Sequence, residues 1–81
     1  MMAMSIQIES FINTYGKEKR IEENNFELIL DGYHLYPMDV PIYVKRRESD
    51  TPVGEGIIKS LLLSEGKTKI VYTLTALKSI N

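Results

Sequence analysis

The chain contains no cysteine. That removes disulfides, thiolate nucleophiles and cysteine-based zinc sites together, and it suits a reducing cytoplasm. It contains one histidine, His34, so a base at that position has no second imidazole to work with. It has no excess of either charge: 10 lysines and arginines stand against 11 acidic residues, for a net charge of −1. Neither end carries a charged block, which argues against general electrostatic attraction to nucleic acid or anionic membrane. No apolar run approaches the ~20 residues of a membrane-spanning helix. The start, Met1-Met2-Ala3-Met4, lacks the basic region and long apolar stretch of a secretory signal. Repeats, low-complexity tracts and interdomain linkers are missing as well.

What remains is ordinary for a soluble globular domain: 43% apolar and 26% charged residues in 81 positions, which is the size of a single domain. So short a chain hides only ~60–65% of the surface its unfolded form exposes. Modest stability is expected unless it self-associates.

The strongest local signal is Asp31-Gly32 between Phe26-Glu27-Leu28-Ile29-Leu30 and Tyr33-His34-Leu35-Tyr36-Pro37. A type I′ turn needs positive φ at both central residues, and Asp-Gly tolerates it. The expected β-hairpin sets Leu30 against Tyr33, Ile29 against His34, Leu28 against Leu35 and Glu27 against Tyr36. Alternation then collects Phe26, Leu28, Leu30, Tyr33 and Leu35 on a core face. Glu27, Ile29, His34 and Tyr36 occupy the other.

Around this hairpin the chain reads as further strands. Ile6 and Ile8 alternate with Gln7 and Glu9. The phase is lost near Ser10, which predicts a bulge or a change of partner there. Residues 16–25 read as a solvated loop. Pro37 and Pro41 bracket an irregular corner. Ile42 and Val44 point one way in the next strand, with Tyr43, Lys45 and Arg47 the other way. Glu48 to Gly54 is a loop. Gly56–Leu63 and Thr68–Ala76 form a second hairpin about Ser64-Glu65-Gly66-Lys67. One of its faces pairs Leu61 with Ile70, Lys59 with Tyr72 and Ile57 with Leu74. The other pairs Leu62 with Lys69, Ser60 with Val71 and Ile58 with Thr73. Leu77–Asn81 either extends the last strand or frays.

The expected fold is all-β: a small antiparallel barrel or strongly curled sheet of five to six strands. Its interior would hold Ile8, Leu28, Leu30, Tyr33, Leu35, Val44, Ile57, Leu61, Ile70 and Leu74.

No catalytic set is visible. A triad needs a nucleophile and an orienting acid in reach of the base, and nothing in the sequence places them beside His34. Asp31 and Asp39 do not follow a metal-ligand spacing with it. Gly54-Glu55-Gly56 lacks the third glycine, lysine and helix of a nucleotide loop and reads instead as a bulge or bend. No cofactor is implied. The basic run Lys45-Arg46-Arg47, with Tyr43, could bind single-stranded nucleic acid by stacking and phosphate contacts. Lys59, Lys67 and Lys69 would join that surface. Alternation splits the run, however, and Glu48 and Asp50 follow it, so a charged edge strand is the simpler reading. Ile58, Leu62 and Val71, with Ile29, His34 and Tyr36, form a second, partly apolar face. The N-terminal strand, the proline corner or another molecule must cover it.

The stretches Gly16-Lys17-Glu18, Asp31-Gly32-Tyr33-His34-Leu35-Tyr36-Pro37-Met38-Asp39-Val40-Pro41, Glu65-Gly66-Lys67-Thr68 and Leu77-Lys78-Ser79-Ile80-Asn81 resemble the small YtmB-like proteins of Bacillus and relatives, a domain of unknown function. The resemblance covers nearly the whole chain at matching spacing. It implies a compact all-β cytoplasmic protein and brings no catalytic, ligand or cofactor residues with it. The expected function is therefore a non-enzymatic binding or protein-interaction module, self-association included, with RNA binding through the basic and aromatic face as the alternative.

Overall fold

The computed structural model describes residues 6–47 and 50–77. The Met1–Met4 start and the Lys78–Asn81 tail lie outside the described residues, as do Glu48 and Ser49. The described chain is all strand, with no helix: β1 (Ile6–Ile8), β2 (Phe11–Asn13), β3 (Lys19–Glu22), β4 (Asn25–Asp31), β5 (Tyr33–Leu35), β6 (Pro41–Lys45), β7 (Gly54–Ser64) and β8 (Lys67–Leu77).

Six of these strands form one sheet in the order β2-β6-β7-β8-β4-β3, and β1 pairs separately with β5. The sheet is mixed rather than antiparallel, because β2 runs parallel to β6. It is strongly curled but not closed into a barrel. Chain length contributes to the curl, and so do the bulges between β7 and β8. Laid flat, the edge strands β2 and β3 would stand about 24 Å apart at the usual strand spacing. Only residues 14–18 join them, and these contain a tight turn closed by Lys17 N–H donating to Thr14 O at 2.9 Å. Such a connection reaches less far than that, so the two edges are drawn toward each other.

The loss of phase near Ser10 is a change of partner: β1 pairs with β5 and β2 with β6. The loop expected over residues 16–25 contains β3 instead, which pairs with the start of β4 across Glu23-Asn24. Every residue of β3 is solvent-exposed, so its strand character comes from the neighbouring ladder rather than from apolar alternation.

The Asp31-Gly32 hairpin does not form. Gly32 has φ 81°, but Asp31 is not in the left-handed region, and a I′ turn needs both. The I′ signature appears at Glu65-Gly66, with φ 52° and 75°, and there it joins β7 to β8. This long hairpin lays β8 along β4 for seven consecutive pairs, from Asn25–Thr73 to Asp31–Lys67. The Phe26 and Tyr72 rings stack in that ladder, 5.5 Å apart. The local hairpin would have offered five pairs, one of them opposite the amide-less Pro37. Gly32 becomes a corner held against the β7–β8 turn. Its N–H donates to Gly66 O at 2.7 Å, and its carbonyl accepts from the hydroxyl of the fully buried Thr68 at 2.8 Å.

In β7 the expected pairs Leu61–Ile70, Ser60–Val71 and Leu62–Lys69 are present, whereas Tyr72 and Thr73 face Ile58 and Ile57. Lys59 is an extra residue in β7, and Thr75 is an extra residue in β8 that restores the register further along. A bulge resets which side chains face inward. Ile58 therefore turns inward and is 0% exposed, while Ile57 moves outward. Gly54 and Gly56 sit on the same inner side. A Cβ on Gly54 would collide with the Ala76 carbonyl, and one on Gly56 would press on Tyr72, Thr73 and Val44.

The core is Ile12, Leu28, Tyr36, Val44, Ile58, Ile70 and Tyr72. Leu28, Val44 and Ile70 are as expected. Ile8 is not core but 82% exposed; Tyr33 and Leu35 are only half-buried. These corrections share one cause, since Ile8 and β5 belong to the separate two-stranded ribbon and not to the sheet whose parity was extended to them.

Candidate functional site

The open side of the curled sheet holds a cleft of ≈ 570 Å³, within the usual range for ligand sites. Its lining comes from several segments: Glu9 after β1, Asn13 from β2, Tyr15 and Lys17 from the turn, Ile29 to Asp31 from the end of β4, His34 and Tyr36, and Lys67.

His34 is placed by its backbone, whose N–H donates to Thr68 Oγ1 at 2.9 Å. The imidazole is half-buried. Its Nδ1 lies 2.9 Å from Glu9 Oε2, and its Nε2 lies 2.8 Å from the Asp31 carbonyl. A carbonyl can only accept, so Nε2 carries a hydrogen. Glu9 is held in turn by its own N–H, which donates to Leu35 O at 2.8 Å. His34 is thereby tied by its ring to Glu9 and to β4, and by its backbone to β8.

Tyr36 forms the floor and is 7% exposed. Burial pushes its hydroxyl well above the usual range, and the Glu9 charge adds to that. At the rim, Lys67 Nζ bonds Asp31 Oδ1 at 2.7 Å. This hydrogen bond and the ammonium charge hold the Asp31 carboxyl below its usual range. Lys17 also acts on Asp31 through its charge, but it forms no ion pair with a described residue. Tyr15 stands exposed on the opposite bank with φ 54°, an uncommon conformation for a bulky side chain. Two side-chain oxygens among the described residues are buried without a hydrogen-bond partner, Asn13 Oδ1 and Glu18 Oε1. They flank the turn that crosses between the sheet edges.

The structure thus joins three expected surface residues, Ile29, His34 and Tyr36, in one site, with Tyr36 buried as floor rather than exposed. Ile58 is wholly interior and leaves the expected interaction face. Leu62, at 56% exposed, and half-buried Val71 remain on the outer face. The Lys69–Glu27 ion pair, 3.2 Å, interrupts that face between Leu62 and Ile29.

The basic and aromatic residues are dispersed. Tyr43 stacks near Phe11 at 6.3 Å, and Lys45 Nζ lies 4.0 Å from the Phe11 ring centre. Lys69, on β8 opposite Leu62, lies about 20 Å further along the sheet at the usual strand rise. Lys67, Lys69 and Arg47 are each in an ion pair, and Lys59 occupies the bulge. Among the described residues no group of three or more His, Cys, Asp or Glu could hold a metal ion, and no helix is long and apolar enough to cross a membrane.

Comparison with known proteins adds a lineage to this geometry. Residues 2–81 match the family described as Domain of unknown function (DUF2584). The chain belongs to the DUF2584 family. Its relative named "Uncharacterized protein YtmB", from Bacillus subtilis (strain 168), is 41% identical over 80 residues, covering 99% of this chain and 100% of that protein. The crystal structure of protein ytmB from Bacillus subtilis superposes with a TM-score of 0.90 and covers 99% of each chain. DUF2584 membership thus bears out the YtmB-like resemblance, and the all-strand structure bears out the fold it implies.

Glu9, Asn13, Tyr15 and Lys17 were not singled out by sequence. They come to the cleft from separate segments, and only Tyr15-Gly16, a dipeptide that turns in the left-handed region, carries a local hint.

Proposed function

We propose that this DUF2584 protein is a non-enzymatic interaction module of the cytoplasm that takes its partner in the cleft around His34 and Tyr36. One observation carries the reading: Glu9, His34, Tyr36, Tyr15, Lys17 and Lys67, drawn from separate parts of the chain, line a single open cleft. The chemistry of that lining favours binding over catalysis. Both ring nitrogens of His34 are already engaged by fixed acceptors, so neither is presented to a substrate. Among the described residues no serine or threonine lines the cleft, and a nucleophile would be needed there.

The test is a differential capture from a lysate of the source organism. Three baits are compared: wild type, a cleft variant (Tyr15→Ala with Lys17→Ala) and an outer-face variant (Leu62→Ser). A partner held by wild type and Leu62→Ser but lost from the cleft variant is the expected result. Identical retention by all three, or loss only from Leu62→Ser, overturns the reading.

A further inference from the structure

The cleft is also an unfilled strand position. Two hydrogen bonds fix which way the backbone of β4 faces. Leu74 N–H donates to Asn24 O, and Gly32 N–H donates to Gly66 O. Both belong to the one register between β4 and β8. Residues at the even positions between them, Phe26, Leu28 and Leu30, therefore address β8, because N–H and C=O of one residue point the same way in an antiparallel ladder. Asn25, Glu27, Ile29 and Asp31 address the opposite side. There β3 pairs with β4 from Asn25 to Glu27 and then stops. The groups of Ile29 and the N–H of Asp31 face the cleft with no described strand opposite them; the Asp31 carbonyl is taken by His34.

On the far bank stands Asn13 of β2, the other edge of the same sheet. The buried oxygen without a partner on Asn13 belongs to this same gap. A sheet edge with unpaired backbone is a template for another strand. From these observations we infer that the partner enters as an extended peptide, adding a short strand to the Ile29–Asp31 edge of β4 between that edge and β2. The inference rests on the cleft reading above and specifies the class of ligand.

Charge selects among peptides. Glu9 is matched by His34 and Asp31 by Lys67. Lys17 is the cleft cation that has no ion-pair partner among the described residues. The preferred peptide therefore carries an acidic side chain placed against Lys17. Ile29, 49% exposed at the edge, offers an apolar neighbour for one alternate side chain of the added strand.

The experiment selects from a phage-displayed library of random peptides of about six to eight residues, the usual strand length, on the immobilised full chain. The expected products bind with one acidic position, and binding slows hydrogen exchange at the Ile29 and Asp31 amides. Methylating the backbone nitrogens of a selected peptide one at a time weakens binding about tenfold at alternate residues and little at those between. Lys17→Glu, checked for folding by circular dichroism, reverses the charge preference.

A selected peptide that leaves those two amides unprotected, or that shows no alternation in the methyl scan, overturns strand addition. So does a dimer by light scattering in which a second copy of the chain protects the same amides. If no peptide is retained while the bait contrast of the preceding section persists, strand addition falls and the cleft reading stands. If that contrast is lost as well, both fall.

Discussion

His34 Nδ1 and Glu9 Oε2 lie 2.9 Å apart, while the other nitrogen of the ring is spent on the Asp31 carbonyl. Both nitrogens thus face oxygen acceptors, so one proton is shared between the ring and the carboxyl group. The pair closes the cleft within the β1–β5 ribbon, and the contacts of His34 with Asp31 and Thr68 tie that ribbon to the main sheet. Replacing His34 with Ala leaves Glu9 without its partner, and a cost of about 1–3 kcal/mol is expected. Glu9→Gln keeps a side chain that can donate to Nδ1 and should lose less than Glu9→Ala. Urea unfolding of the three variants orders them.

The bulge at Lys59 makes a sharper claim. Ile57 and Ile58 are neighbours of identical size and chemistry, yet only Ile58 is in the core. Ile58→Ala is expected to cost about 2–5 kcal/mol, as for a buried isoleucine, and Ile57→Ala distinctly less. Equal costs, or the reverse order, would mean that the uninterrupted register between β7 and β8 is the true one.

Tyr15 trades stability for position. A side chain in the left-handed region costs on the order of 1 kcal/mol relative to glycine there. Tyr15→Gly should therefore raise the midpoint of unfolding while weakening any ligand held on that bank of the cleft. Binding unaffected by this substitution would remove Tyr15 from the site.

Tyr36 and Tyr72 give the protein an alkaline limit. Burial raises both hydroxyls above the ordinary value of 10.0, with Glu9 adding to Tyr36 and Glu18 to Tyr72. The fold favours the neutral form, so this contribution is fully present below pH 10.0 and is lost as pH climbs from there toward the raised values. Of the five tyrosines, these two should ionise only as the chain unfolds. Absorbance of phenolate against pH, followed beside circular dichroism, checks the coincidence.

Strand character and the second hairpin were legible because alternation and the Glu65-Gly66 turn act locally. The inward faces of β4 and β8 followed from the same pattern: Leu28 and Ile70 are fully buried, as alternation requires. Partner choice was not legible. Asp31-Gly32 satisfies every local rule for a hairpin, but β8 offers β4 a longer ladder and a stacked ring, and a remote gain outweighs a local preference. The burial of Ile58 was hidden for a different reason, since no residue type announces a bulge at Lys59. The cleft shares the first cause. His34 is conspicuous in sequence, but Glu9 meets it only after β1 and β5 have paired.

The surplus residue in β7 has a consequence for length variation. With Lys59 removed, Gly56, Ile58, Leu61 and Leu63 fall on strict alternate positions, the arrangement the inner face already uses. A one-codon deletion there is thus expected to spare the interior. What it takes away is local coiling, which a bulge supplies. The straightened sheet would hold its two margins farther apart, so the gap beside β4 would widen while the melting behaviour stayed close to that of the parent.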